Sequence, residues 1–174
     1  MANGCRRRIS TLPWAQWTAA CHADYEANVD VKNGGIVLPG PIDMPAIIHT
    51  LQRHLPADAV LTNGAGNFAT WLHRFYRYRG LVHGHKTQLA PTNGAMGYGD
   101  FLMNGQELAT AVQHGARSIV LLLNNGSYGT IRMHQEREYP AHVSGSELRN
   151  PDFCALARAY GYAAERVERT EDFE

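Results

Sequence analysis

From Asp43 onward the apolar positions fall at helical spacing: Ile47, Ile48, Leu51 and Leu55 share one face, and Pro56 closes the segment. Asp43 is the expected N-cap. Pro45 sits in the first turn, where its missing N–H costs little. The pattern then contracts to Ala59-Val60-Leu61, a short apolar strand that runs into the small-residue loop Thr62-Asn63-Gly64-Ala65-Gly66-Asn67. Helical spacing resumes from Phe68 to Tyr76. A strand that ends in such a loop ahead of a helix is how α/β folds build ligand sites at strand C-termini.

The second half repeats the scheme. Asn104 followed by Glu107 reads as a capping-box-like helix start, Leu108, Ala111 and Val112 give an apolar face, and Gly115 suits the C′ position. Ser118-Ile119-Val120-Leu121-Leu122-Leu123 is a continuous apolar run, the pattern of a parallel strand buried on both faces, and it stops at Asn124-Asn125-Gly126. Asn150-Pro151 opens another helix that Gly161 ends. Ala163 to Val167 is one more candidate strand, and Thr170-Glu171-Asp172 is a helix start. Helices and strands in this alternation predict a doubly wound parallel α/β sheet of three αβα layers. Residues 1–40 show no sustained period: Trp14 to Ala20 holds one or two helical turns, and Asn33-Gly34-Gly35 and Pro39-Gly40-Pro41 are turn chemistry. They read as a linker or the remnant of an upstream region, with the folded domain at residues 41–174.

Composition narrows the function classes. In 174 residues, 44% are hydrophobic and 18% charged, a globular balance. Sixteen basic and sixteen acidic residues cancel, which argues against a nucleic-acid partner; the run Arg6-Arg7-Arg8 reads as a solvated tail. Cys5, Cys21 and Cys154 are too far apart for a disulfide framework or a zinc knuckle. No apolar run reaches the roughly 18 residues of a membrane span and no signal core follows Met1, so a cytoplasmic protein is expected.

Two loops hold the candidate chemistry: Gly64-Ala65-Gly66-Asn67 and Asn124-Asn125-Gly126-Ser127. Each by itself is an ordinary tight turn. On one edge of a parallel sheet they would offer N–H groups and amide oxygens to a phosphate and a hard cation such as Mg²⁺. A Gly-x-Gly-x-x-Gly turn and a P-loop lysine are both absent, against a plain nucleotide-binding domain.

The string Gly105-Gln106-Glu107-Leu108-Ala109-Thr110-Ala111, an apolar run and then Asn124-Asn125 resemble the second half of the thiamine-diphosphate fingerprint. Gly94-Ala95-Met96-Gly97-Tyr98-Gly99 resembles the ring-cradling segment of acetolactate-synthase-like enzymes, and Gly66-Asn67-Phe68-Ala69-Thr70-Trp71 their diphosphate loop. The resemblance runs from about Trp14 to Glu174 and is to the C-terminal cofactor-binding domain of that family. It implies that Ala65, Gly66, Asn67 and Phe68 line the diphosphate, that the Gly94 carbonyl accepts from the aminopyrimidine, that Met96 is the wedge that holds the cofactor bent, and that Ala95 is part of the cofactor-binding set. Gly99 and Asp100 close that cofactor-binding set, and Asn125 and Ser127 bind Mg²⁺. It implies a 2-oxo acid substrate and a pyrimidine-binding domain supplied by another chain or subunit.

The pattern is also broken. Gly97-Tyr98-Gly99 stands where both the ring-binding segment and the Gly-Asp-Gly of the fingerprint belong, with Tyr98 at the position of the Mg²⁺-binding aspartate. An internal deletion that fused the two accounts for this, and it removes a central strand and its helix. A phenol with pKa about 10 does not replace a carboxylate at neutral pH. Asp100 lies two residues late. Glu107 and Glu136 lie in the wrong domain to serve as the family's cofactor-activating glutamate, so no catalytic residue is assigned. His83 and His85 precede the ring-binding segment and are default loop residues. The expected function is a domain that binds thiamine diphosphate and Mg²⁺ in a 2-oxo acid carboligase or decarboxylase, inactive alone. The alternative is a non-catalytic remnant or interaction module that no longer binds the cofactor.

Overall fold

The structure is a computed structural model that describes residues 13–30, 38, 40–64, 66–78, 88–89 and 100–173, with only the backbone of Gln88, Leu89 and Asp100. The chain divides into two units, Met1–Pro39 and Gly40–Glu174.

In the first unit, α1 (Ala15–Val29) is longer than the one or two turns expected. The Thr18 hydroxyl donates to the Trp14 carbonyl (3.1 Å), and His22 lies one turn from Glu26 and stacks on Tyr25. Trp14, Trp17 and Tyr25 are exposed and Val29 is buried.

The second unit opens with α2 (Met44–His54), and here local chemistry and outcome agree. Asp43 Oδ1 accepts from the Ala46 N–H (2.9 Å), Pro45 is in the first turn, and Pro45, Ile47 and Ile48 are buried. β1 (Leu61–Thr62) leads to α3 (Ala69–Phe75), whose Phe75 is 1% exposed. β2 (Gln88–Leu89) pairs parallel with β1, Leu61 opposite Gln88 and Thr62 opposite Leu89. The small core gathers between α2 and α3. Trp71 stacks on Phe75 and His49 meets its edge, while the Gln52 side chain bonds both ways with the Arg77 backbone (2.9 and 3.1 Å).

A 3₁₀ turn at Thr170–Asp172 returns to the entry of α2. The Thr170 hydroxyl accepts from the Asp43 N–H (2.6 Å) and donates to the Pro41 carbonyl (3.1 Å). The chain is thereby clasped across 127 positions.

Between these elements lie α4 (Asp100–Asn104), α5 (Glu107–Gln113), α6 (Gly129–Glu138) and α7 (Phe153–Ala159). Phe101 meets Phe153 edge-on at 5.7 Å, which sets α4 against α7. α5 and α7 both end in Schellman motifs. Gly115 (φ +63°) and Gly161 (φ +91°) donate to Val112 and Arg158, and the following residues donate to Ala111 and Ala157. Two helix starts differ from expectation. Asn104 ends α4 and caps nothing; α5 begins after Gln106 with no side-chain cap, because the turn at Gly105 folds against the Phe101 carbonyl. Asp152, not Asn150, caps α7, accepting from the Ala155 N–H at 3.0 Å.

The doubly wound sheet is not seen among the described residues. Among the described residues the sheet has two strands, β1 and β2, and the rest is helix, turn and irregular chain. Ser118–Leu123 forms no strand, nor does Ala163–Val167. No backbone hydrogen bond is formed by residues 117–123 among the described residues. Ile119 is 71% exposed, Val120 49%, and Leu121 and Leu123 40% each. An apolar run becomes a buried parallel strand only when neighbouring strands pair with its edges and helices cover its faces. Among the described residues no strand pairs with it.

Candidate functional site

The first candidate loop is built by the transition from β1 to α3. Carbonyls of Gly66, Asn67 and Phe68 accept from the N–H groups of Ala69, Thr70 and Trp71 (3.0, 3.1 and 3.1 Å), a tight winding that leaves the turn's own N–H groups outside the helical ladder. The Phe68 ring lies directly over Gly66: a Cβ there would come within 2.5 Å of it. Only glycine fits beneath that ring. Asn63 ties the loop down from the strand side, its Oδ1 3.0 Å from His73 Nε2 on α3.

The second loop is held by amides. Asn124 Oδ1 accepts from the Gly126 N–H (3.2 Å) and from Asn150 Nδ2 (2.7 Å), and Asn125 Oδ1 accepts from the Ser127 N–H (3.1 Å). Gly126 has φ +64°, a conformation that side-chain-bearing residues rarely adopt. The 146–148 segment fastens the loop from the other side. Tyr128 N–H donates to the Ser146 carbonyl and Leu148 N–H to the Gly126 carbonyl (2.8 Å each), with Ser127 bridged antiparallel to Glu147. Ser146 is 1% exposed, and its hydroxyl has no partner among the described residues. Asn125 is exposed and folds back over the start of α6, where a Cβ on Gly129 would lie 3.0 Å from its Nδ2.

The first loop touches the helix that follows the second. Asn67 Nδ2 lies 3.9 Å from Met133 Sδ, on the helix that the second loop leads into, although 66 positions separate them. That contact sets the loop of Gly66, Asn67 and Phe68 against the helix that follows Asn125 and Ser127. Asp100 begins α4. Ala65, Gly94, Ala95, Met96, Tyr98 and Gly99, with His83 and His85, lie outside the described residues. Sequence reasoning missed Gly129 and Met133, whose roles show only once the helix is placed against both loops. The electrostatics nearby are mild. The Glu136 carboxylate, hydrogen-bonded to Arg132 at 2.9 Å on α6, raises that guanidinium's pKa further.

One loop is a tight turn around Gly66 and the other is held by the amides of Asn124 and Asn125. Residues 84–174 match the family described as thiamine pyrophosphate enzyme, C-terminal TPP binding domain, and the chain belongs to that family. Thiamine diphosphate with Mg²⁺ is the cofactor of such enzymes.

Among curated relatives, acetolactate synthase of Mycobacterium avium is 41% identical over 195 residues, covering 98% of this chain and 31% of that protein. Acetolactate synthase of Mycobacterium leprae is 42% identical over 189 residues (94% and 29%). The acetolactate synthase large subunit of Corynebacterium glutamicum is 27% identical over 184 residues (91% and 29%). The chain spans about a third of the length of these relatives. An alignment of 195 positions against 98% of a 174-residue chain leaves about two dozen relative positions facing no residue of this chain, enough for one parallel crossover.

The cofactor's two charged parts fit unequally. The turn at Gly66–Phe68 suits a diphosphate, with N–H groups outside the ladder and no side chain at Gly66. Mg²⁺ prefers a near-octahedral shell of oxygens, with one or two carboxylates beside the phosphates. Asn125 and Ser127 offer neutral oxygens alone, and no group of three or more His, Cys, Asp or Glu gathers among the described residues. No described helix is long and apolar enough to cross a membrane.

Proposed function

We propose that this chain is a reduced cofactor-holding domain of an acetolactate-synthase-like carboligase or decarboxylase, and that it turns over no 2-oxo acid on its own. The observation that supports this reading is the Asn67–Met133 contact, which sets the Gly66–Phe68 turn against the helix that follows the Asn-Asn-Gly-Ser loop, in a chain of this family. In this reading Ala65, Gly66, Asn67 and Phe68 receive the diphosphate, Gly94, Ala95 and Met96 the rings, with Gly99 and Asp100 at the margin, and Asn125 and Ser127 face the Mg²⁺ that the diphosphate brings. When bound, the cofactor supplies a carbanion-stabilising thiazolium for 2-oxo acid chemistry. The chain's own groups bind and orient it. The expected absence of activity rests on three features: the aspartate position holds Tyr98, no glutamate stands in place to activate the pyrimidine, and about two dozen aligned positions of a relative face no residue of this chain. The pyrimidine-binding domain then comes from another chain, in the cytoplasm.

Calorimetric titration of the purified chain with thiamine diphosphate, with and without Mg²⁺, tests the reading. Weak binding that strengthens with Mg²⁺, and no product from pyruvate, is the expected result. Splicing a Gly-Asp-Gly strand and its helix after Gly99 should tighten it. No binding before or after the splice would leave the alternative, a remnant that no longer holds the cofactor. Turnover by the chain alone would overturn the assignment of inactivity.

A further inference from the structure

A divalent cation that accompanies a diphosphate favours a carboxylate in its shell, and Asn125 and Ser127 bring none. One carboxylate stands directly across the loop from them. Ser127 is bridged antiparallel to Glu147. The bonds that form the bridge lie on either side of this pair: Tyr128 N–H to the Ser146 carbonyl and Leu148 N–H to the Gly126 carbonyl, 2.8 Å each. Ser127 and Glu147 are thus a non-hydrogen-bonded antiparallel pair, whose Cα atoms lie about 4.5 Å apart and whose side chains leave the same face.

We propose that Glu147 is the carboxylate that completes the cation shell of the Asn125–Ser127 loop, supplying the charge that Tyr98 does not. The proposal rests on the reading that this chain holds thiamine diphosphate with Mg²⁺, and adds the residue that carries the charge there.

Reach, anchoring and availability support it. Oxygens in adjacent positions around Mg²⁺, each at about 2.0–2.1 Å, lie about 3 Å apart. Side chains of a directly opposed pair start with Cβ atoms about 4.5–5.5 Å apart, and a glutamate has a methylene beyond Cβ with which to close that gap. The segment that bears Glu147 is also fastened. Ser146 beside it is 1% exposed, and the two 2.8 Å bonds hold the residues on either side of Glu147 to the loop.

Glu147 itself is exposed and has no ion pair among the described residues. Its field reaches Arg132 on α6, but that guanidinium is taken by Glu136 at 2.9 Å. Glu138, also on α6, is bonded to Arg137 at 2.9 Å. Of these three carboxylates Glu147 alone is both uncommitted and bridged to a loop residue.

Two measurements on the full chain test this. One is calorimetric titration with thiamine diphosphate at stepped Mg²⁺ concentrations. The other follows Mn²⁺ binding, in the presence of thiamine diphosphate, by loss of the free ion's electron spin resonance signal. Glu147→Gln keeps the shape and removes the charge. It should raise the half-saturating concentration of either metal at least about tenfold. Metal-free cofactor binding and the urea midpoint of the metal-free chain should not move. Glu147→Asp, one methylene shorter, should give a smaller loss. Glu138→Gln removes the same charge from a carboxylate that faces an arginine, and should change the metal requirement less than about twofold.

A parent chain that needs Mg²⁺, with an unchanged requirement in Glu147→Gln, would overturn this proposal and leave the cofactor reading standing. An equal loss in Glu138→Gln would overturn it too, because a diffuse field and not a ligand would then be at work. So would a lower urea midpoint for metal-free Glu147→Gln, which marks a structural residue. No binding of thiamine diphosphate by the parent at any Mg²⁺ concentration would remove the reading beneath it, and the proposal with it.

Discussion

Phe75→Ala removes the ring at the centre of the α2–α3 contact. Phe75 is 1% exposed, stacked on Trp71 at 5.9 Å and met edge-on by His49 at 6.3 Å, with the Arg74 guanidinium 5.2 Å from its centroid. A buried phenylalanine withdraws about 150–250 Å² from water, which at roughly 25 cal/mol per Å² amounts to about 4–6 kcal/mol as an upper bound. Large-to-small core substitutions of this kind cost about 3–5 kcal/mol. The expected loss is therefore about 3–5 kcal/mol. Domains are stable by about 5–15 kcal/mol, and a core with few buried residues belongs at the low end, so the variant should sit near its unfolding midpoint in water. Phe75→Leu, which keeps most of the volume, should cost about 1–2 kcal/mol and stay measurable.

Urea titration followed by Trp71 fluorescence reads both variants, in a background where Trp14 and Trp17 are replaced by Phe so that the signal comes from the indole stacked on residue 75. All chains must be compared at one concentration, because association adds to apparent stability. A loss below about 1 kcal/mol for Phe75→Ala would refute the placement of the core between α2 and α3.

Two further outcomes are expected. Thr170→Val deletes both hydrogen bonds of the clasp at Pro41 and Asp43 and should cost about 1–3 kcal/mol, with faster exchange of the Asp43 amide; Thr170→Ser should stay within about 0.5 kcal/mol of the parent. The second concerns acid. The N–H of Ala155 bonded to Asp152, then the N–H of Cys154 and the charges of Arg166 and Arg158, hold this carboxyl below the usual carboxylate range. Its contribution is complete above the ordinary aspartate value near about 3.9 and is lost as pH falls through the lower folded value. Asp152→Asn should therefore keep the helix start yet flatten part of the acid limb of stability against pH, read from urea midpoints at successive pH values. Superimposable acid limbs would sink that assignment.

What the sequence made legible was local. The Asp43 cap, the Ile47–Ile48 face and the terminations at Gly115 and Gly161 depend on residues within a turn of one another, and the chain adopts them. Asn104 misled because its cap was read without the Phe101 carbonyl that folds against Gly105. The run at Ser118–Leu123 misled for a larger reason. Its apolar pattern states what such a segment requires on both faces, and cannot state whether the rest of the chain supplies it. In the site, the glycine and asparagine loops were legible as chemistry, and the turn at Gly66 and the amide bonds of Asn124 and Asn125 have the local form such residues favour. Gly129 and Met133 were not, since a helix start tucked under Asn125 and a sulfur beside Asn67 exist only in three dimensions.

The Thr170 clasp also sets a timetable for synthesis. Asp43 can cap α2 as soon as Ala46 follows it, but its own N–H finds the Thr170 hydroxyl 127 positions later. At about 5–20 residues per second, the nascent chain carries an unfastened α2 for roughly 6–25 s. Once α3 has followed, the α2–α3 core still waits for that fastening. A ribosome that pauses before residue 170 therefore presents the cell's quality-control machinery with a chain whose first helix of this unit is formed and whose last fastening has not yet been made.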